Sequence, residues 1–113
     1  MSPITSHVLD TALGRPARGL ALRLELQNAD GSWRMLAQAT TNQDGRVTDL
    51  LPAGALARGR YRLLFDTAAY HRATGQPVFY PEVTIVFEIE ADAEHYHIPL
   101  LLSPFGYSTY RGS

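Results

Sequence analysis

The sequence predicts an all-β fold, an antiparallel sandwich with one short helix, and three observations carry that expectation. Apolar and polar residues alternate in several short runs, turn residues separate those runs, and only one stretch reads as a helix. A chain of 113 residues is expected to form one domain over 1–113. At that length about two-thirds of the extended chain's surface can be buried, enough for a core without covalent staples.

The first strand is expected at 4–10, with Ile4, Ser6 and Val8 on one side and Thr5, His7 and Leu9 on the other. Leu20, Leu22, Leu24 and Leu26 alternate with Ala21, Arg23, Glu25 and Gln27, the pattern of a strand with one wet face. An Asp30-Gly31 turn then returns the chain as a second arm, Trp33 to Ala39. A second turn, Asn42-Gln43-Asp44-Gly45, delivers Arg46 and Val47 at its exit. Arg60 to Asp66 reads as a strand with Tyr61, Leu63 and Phe65 on one face. Thr67 to Thr74 reads as the helix, with Thr67 as its N-cap and Gly75 as its stop. Val83 to Ile89 alternates again. An acidic turn, Ala91-Asp92-Ala93-Glu94, leads to a last strand, Tyr96 to Leu102, in which the amide position of Pro99 is expected to face an edge or a bulge because it lacks a hydrogen.

Composition excludes several classes. With no cysteine there are neither disulfides nor thiolate metal sites, and a net charge of -1 without long charge runs argues against a nucleic-acid surface. No apolar stretch approaches the ~20 residues needed to span a bilayer. The opening residues lack the charged-then-apolar pattern of a secretory leader, so cytoplasm is the expected compartment.

The chemistry-bearing residues are histidine, arginine, tyrosine and serine. His95 and His97, two apart on a strand, share a face at about 7 Å; with His7 they could supply zinc ligands, but no carboxylate holds a convincing ligand spacing, and neither a metal nor a cofactor is expected. His71, beside Arg72 on the helix, is expected to be solvated. There is no Gly-x-Ser-x-Gly elbow, no cysteine nucleophile and no nucleotide-binding glycine pattern. The closing run Tyr107-Ser108-Thr109-Tyr110-Arg111-Gly112-Ser113 carries side chains that a disordered tail has no use for, and it is expected to dock into a functional pocket. Imidazole can activate water and guanidinium can neutralise an anionic substrate, a kit that suits a hydrolase or an isomerase.

Several motifs are shared with a known family. The runs Ile4-Thr5-Ser6-His7-Val8-Leu9-Asp10, Gly14-Arg15-Pro16-Ala17, Thr41-Asn42-Gln43-Asp44-Gly45-Arg46 and Phe79-Tyr80-Pro81-Glu82 resemble the transthyretin-related 5-hydroxyisourate hydrolases. So does His95-Tyr96-His97-Ile98-Pro99-Leu100-Leu101-Leu102-Ser103-Pro104, running on to Tyr110-Arg111-Gly112-Ser113; Phe105 departs from a common tyrosine. The resemblance implies a transthyretin-like sandwich of two four-stranded sheets and a homotetramer with active sites in the channel between dimers. It implies hydrolysis of 5-hydroxyisourate, in urate degradation, to 2-oxo-4-hydroxy-4-carboxy-5-ureidoimidazoline. By motif match His7, Arg46, His97 and Ser113 are the implied catalytic residues; His7, Arg46, Tyr110 and Arg111 are the implied substrate contacts. His95 is not carried over. A non-catalytic carrier of small aromatic ligands is the alternative on the same fold.

Overall fold

The computed structural model describes residues 2–90 and 94–113. Its strands are β1 (Ile4–Asp10), β2 (Arg15–Pro16), β3 (Ala21–Gln27), β4 (Trp33–Thr40), β5 (Arg46–Val47), β6 (Gly59–Phe65), β7 (Val83–Ile89), β8 (Tyr96–Ser103) and β9 (Gly106–Thr109), with one helix, α1 (Thr67–Ala73). They form two sheets, one ordered β4-β3-β6-β7 and the other β2-β1-β8-β9, with the two-residue β5 also paired to β1. All the pairings are antiparallel except that of β1 with β8, which is parallel. Of the acidic turn expected at 91–94, residues 91–93 lie outside the described residues.

Period-two alternation builds the core between the sheets. Ile4 and Val8 from β1 and Ile98, Leu100 and Leu102 from β8 meet Leu22, Leu24, Tyr61, Leu63, Phe65, Val83 and Ile89 from the facing sheet. Burying each of these side chains contributes roughly 1.5–3 kcal/mol, which makes the strand registers costly to shift. A one-residue slip would carry a strand's whole apolar set to the outer face. Glu25, on the outer face of β3, is held between Arg23 and Arg62.

Two local expectations are corrected, the N-cap of α1 and the exposure of His71, and that for Pro99 is refined. The N-cap of α1 is Asp66, whose carboxylate accepts from Ala69 N at 3.1 Å, while the Thr67 hydroxyl donates instead to the Tyr80 carbonyl. Gly75 does follow the helix, with φ of +70°. His71 is not solvated: it is fully buried, and neither ring nitrogen makes a hydrogen bond among the described residues. Burial, only partly opposed by the charge of Asp10, pushes its pKa down and keeps it neutral. Finally, Pro99 sits within a central strand, between β1 and β9. In β8 the carbonyls of Ile98 and Leu102 face β1 and that of His97 faces the tail, so the missing amide of Pro99 also faces the tail. The ladder there is interrupted between the pairs Leu100–Thr109 and His97–Gly112, and the Thr109 hydroxyl donates to the Pro99 carbonyl at 2.6 Å.

Candidate active site

β1 is the spine of the site. Its core-facing residues fix the strand, which leaves Thr5, His7 and Leu9 on the opposite face, as the alternation predicts. Antiparallel pairing with β5 sets Arg46 directly across from His7, and parallel pairing with β8 sets His97 across from Thr5. Directly opposed residues on antiparallel strands hold their Cβ atoms about 4.5–5.5 Å apart, so the imidazole of His7 and the guanidinium of Arg46 are neighbours by register.

Two glycines bring the outer pieces in. Gly45 has φ of +74° and presents its carbonyl to Val8 N at 2.8 Å; a methyl at its Cα would run into the Val8 carbonyl oxygen. The close approach of this turn is what seats β5 against β1. At the other side Gly112 N donates to the His97 carbonyl at 2.8 Å, and a Cβ on Gly112 would lie 2.5 Å from His97 Cδ2. The tail is further tied by Arg111, whose Nη2 donates to Glu94 Oε2 at 2.8 Å while its guanidinium lies 4.5 Å from the centre of the Tyr96 ring.

The result is a pocket of about 250 Å³ lined by Thr5, Ser6, Arg46, Thr48, His95, His97 and Ser113. The Thr5 hydroxyl lies 2.8 Å from His97 Nδ1 and 3.1 Å from His95 Nε2. The two imidazoles are near-parallel, 20° apart in plane with centres separated by 6.5 Å, matching the spacing expected of a His-x-His pair on one strand face. Among the described residues no group of three or more His, Asp or Glu side chains is arranged to hold a metal ion.

Burial and positive charge govern the electrostatics. Burial and the guanidinium of Arg46 lower the pKa of His7 from 6.5, outweighing the opposing effect of Asp44. Burial, Arg46, His7 and His95 together lower the pKa of His97. Both imidazoles are therefore held neutral near pH 7, beside a cation that stays charged. Such a set can take a proton from water and offer a fixed positive charge to a developing oxyanion.

Arg46, His97 and Ser113 line this pocket together, whereas His7 is not among its lining residues and joins them through its pairing with Arg46 and its effect on the charge of His97. Tyr110 and Arg111 are not in this pocket; with Phe87 and Tyr96 they line an adjoining, more apolar recess of about 270 Å³, to which His97 is common. Thr5, Ser6, Thr48 and His95 are the pocket residues that sequence reasoning left unassigned. Strand alternation already put Thr5 on the face of His7, but that its hydroxyl spans two imidazoles needed the β1–β8 register.

Residues 4–112 match the model of the HIUase/Transthyretin family. The 5-hydroxyisourate hydrolase of Mus musculus is 50% identical to the chain, the match covering 99% of this chain and 96% of that protein. Among solved structures, Klebsiella pneumoniae 5-hydroxyisourate hydrolase superposes with a TM-score of 0.83 at 34% identity, covering 97% of this chain and 98% of that one. Sea bream transthyretin in complex with thyroxine superposes with a TM-score of 0.93, also at 34% identity, covering 98% and 95%. A family match over nearly the whole length, on a sandwich built as these structures are, makes the chain a member of the HIUase/Transthyretin family.

Proposed function

We infer that the chain, as one transthyretin-like domain over 1–113, is an enzyme that hydrolyses 5-hydroxyisourate, giving 2-oxo-4-hydroxy-4-carboxy-5-ureidoimidazoline in purine degradation. One observation carries the reading at the level of chemistry: Arg46 stands across the ladder from His7 and lines one pocket with His97, and burial together with its charge lowers the pKa of both imidazoles. Opening a cyclic, amide-like carbonyl needs a base for water and a counter-charge for the oxygen. The histidine pair supplies the base, and the Arg46 guanidinium binds the anionic substrate and steadies the oxyanion. Ser113, at the pocket wall beside His97, orients the imidazole or the substrate through its hydroxyl. No covalent intermediate is invoked, and the residues need no cofactor for this step.

Tyr110 and Arg111 belong to the same reading as contacts that act once subunits assemble. Tyr110 is 59% exposed and free to reach a neighbour, whereas Arg111 ties the tail down. The assembly proposed is a homotetramer with sites between dimers, in a cytoplasmic setting. No helix among the described residues is long and apolar enough to cross a membrane.

The likeness to a transthyretin that holds thyroxine keeps a ligand-carrier reading in view. One experiment separates the two. The decay of freshly generated 5-hydroxyisourate is followed by ultraviolet absorbance with wild type, His7→Ala and Arg46→Ala. The hydrolase reading expects acceleration by wild type and a loss of about 100-fold or more in each variant. A folded wild type that leaves the decay unchanged would hand the fold to the carrier reading.

A further inference from the structure

We infer that Thr5 and His95 are positioning residues that hold His97 as its Nε2–H tautomer, so that His97 offers the pocket a hydrogen-bond donor while His7 offers a lone pair. The inference rests on the hydrolase reading and divides the roles of its two histidines.

A hydroxyl has one hydrogen and can donate to only one acceptor at a time. Thr5 Oγ1 nevertheless contacts two ring nitrogens, His97 Nδ1 at 2.8 Å and His95 Nε2 at 3.1 Å. The arrangement that uses its hydrogen as well as a lone pair has it donate to one ring and accept from the other, and in that arrangement the tautomers of the two imidazoles are coupled. Two arguments set the direction. The shorter contact is the one expected for an O–H donor, and the longer one suits an N–H donor. In addition, His95 carries a hydrogen on Nε2 both in its neutral Nε2–H form and in its protonated form, and in either state Thr5 accepts from it. Thr5 then donates to His97 Nδ1. A neutral imidazole whose Nδ1 accepts must carry its hydrogen on Nε2.

The surroundings hold His97 in that neutral form. The ionisable groups that act on it are Arg46 from β5, His7 from β1 and His95 just ahead of β8, all of which disfavour a further positive charge. Glu94, the carboxylate nearest in sequence to His95, is engaged by Arg111. His97 lines the pocket, and the contact with Thr5 occupies its Nδ1, which leaves Nε2 for a bound molecule. His7 is arranged the opposite way. It stands across the ladder from Arg46, and in its neutral form it keeps one ring nitrogen as an acceptor.

The division closes the proton account. His7 takes the proton from water as the new C–O bond forms at the carbonyl carbon. The carbonyl oxygen becomes an oxyanion held by Arg46 and by the His97 Nε2–H. When the oxyanion collapses and the ring C–N bond breaks, His7 returns the same proton to the departing nitrogen. His97 stays neutral throughout, a donor whose value is its fixed direction.

Two measurements test this. In the imidazole nitrogen–proton correlation spectrum of ¹⁵N-labelled wild type at neutral pH, the ring assigned to His97 by its loss in His97→Gln should show a bare Nδ1 and a protonated Nε2. The reverse pattern overturns the inference whatever the activity. In the hydroxyisourate assay, Thr5→Val, which keeps the side-chain shape and removes the hydroxyl, should lower kcat on the order of 10- to 100-fold with KM little changed. Thr5→Ser should restore most of that loss, and His95→Phe should resemble Thr5→Val. A Thr5→Val protein with the wild-type circular dichroism spectrum and the wild-type kcat sinks the inference while leaving the hydrolase reading intact. A wild type without activity fails that reading instead.

Discussion

At the scale of single residues, His7 and Arg46 work as a unit because a two-residue strand sets them opposite each other. In the proposed mechanism the arginine does more than bind an anion. Burial and its charge lower the pKa of His7, so this imidazole is already unprotonated at pH values where an exposed histidine would be charged. The sign has two consequences. For activity, the acid limb of kcat/KM should show an apparent pKa below 6.5. Arg46→Gln should lower the rate by about 100-fold and also move that limb upward toward 6.5, because the neighbouring positive charge is gone while burial remains. For stability, the unfolded chain takes up protons on its histidines near pH 6.5 that the folded chain resists, so His7, His97 and buried His71 each make stability fall as the pH drops below that value. A pH–rate profile for the two proteins checks the first point; a limb that Arg46→Gln leaves in place would show that the arginine does not act on the base.

At the scale of elements, the site depends on a tail that the core does not need. Gly112 is bridged to His97 and packs so closely that a methyl would sit 2.5 Å from His97 Cδ2 and 3.3 Å from Pro99 Cγ. Gly112→Ala should therefore push the imidazole out of line and cost at least about 10-fold in kcat, since a misplacement of about 1 Å can cost 100-fold. Its thermal midpoint should hardly move, because the bridge lies outside the apolar cluster between the sheets. Turnover equal to wild type would mean that the tail yields instead of the ring. The same element shows where reading the sequence stops. β1, β3 and β7 were legible because one buried face imposes strict alternation, and that alternation also placed Thr5 with His7. The tail docks through Gly112 and Ser113, whereas the Tyr107, Tyr110 and Arg111 side chains that suggested docking stay largely exposed. The two-residue strands β2 and β5 and the four-residue β9 carry too few residues for a period to show. Pro99 lies in a central strand, yet its missing amide faces the gap between β9 and the Gly112 bridge, so it removes no ladder hydrogen bond there. His71 was misjudged from its neighbour Arg72, although Thr67, Ala68, Tyr70 and His71 mark one buried helix face at helical spacing.

At the scale of the whole molecule, the single chain has unfinished surfaces where the two sheets end. β7 closes one sheet and β9 the other, and edge strands without a partner expose unpaired backbone groups. Beside them Phe79 is 60% exposed, Phe105 67% and Tyr107 45%, with Phe79 packed on Tyr80 and Phe105, and Tyr80 on Tyr107. A contiguous aromatic surface of this kind is what a symmetric interface buries. The pocket points the same way: at about 250 Å³ it falls below the range of roughly 300–1,000 Å³ usual for small-molecule sites, and a second subunit would supply the missing wall. Replacing both Phe79 and Phe105 by glutamate should place charge on that aromatic surface without touching the buried cluster. Sedimentation velocity should then show wild type as a single species of four chains and the variant as smaller species, with the strand signal in circular dichroism retained. Turnover in the hydroxyisourate assay should fall with the tetramer, because His7, Arg46 and His97 persist in the lone subunit but face open solvent. A variant that dissociates yet keeps full activity would place the whole site within one chain, and a wild type that sediments as a monomer would remove the need for any partner.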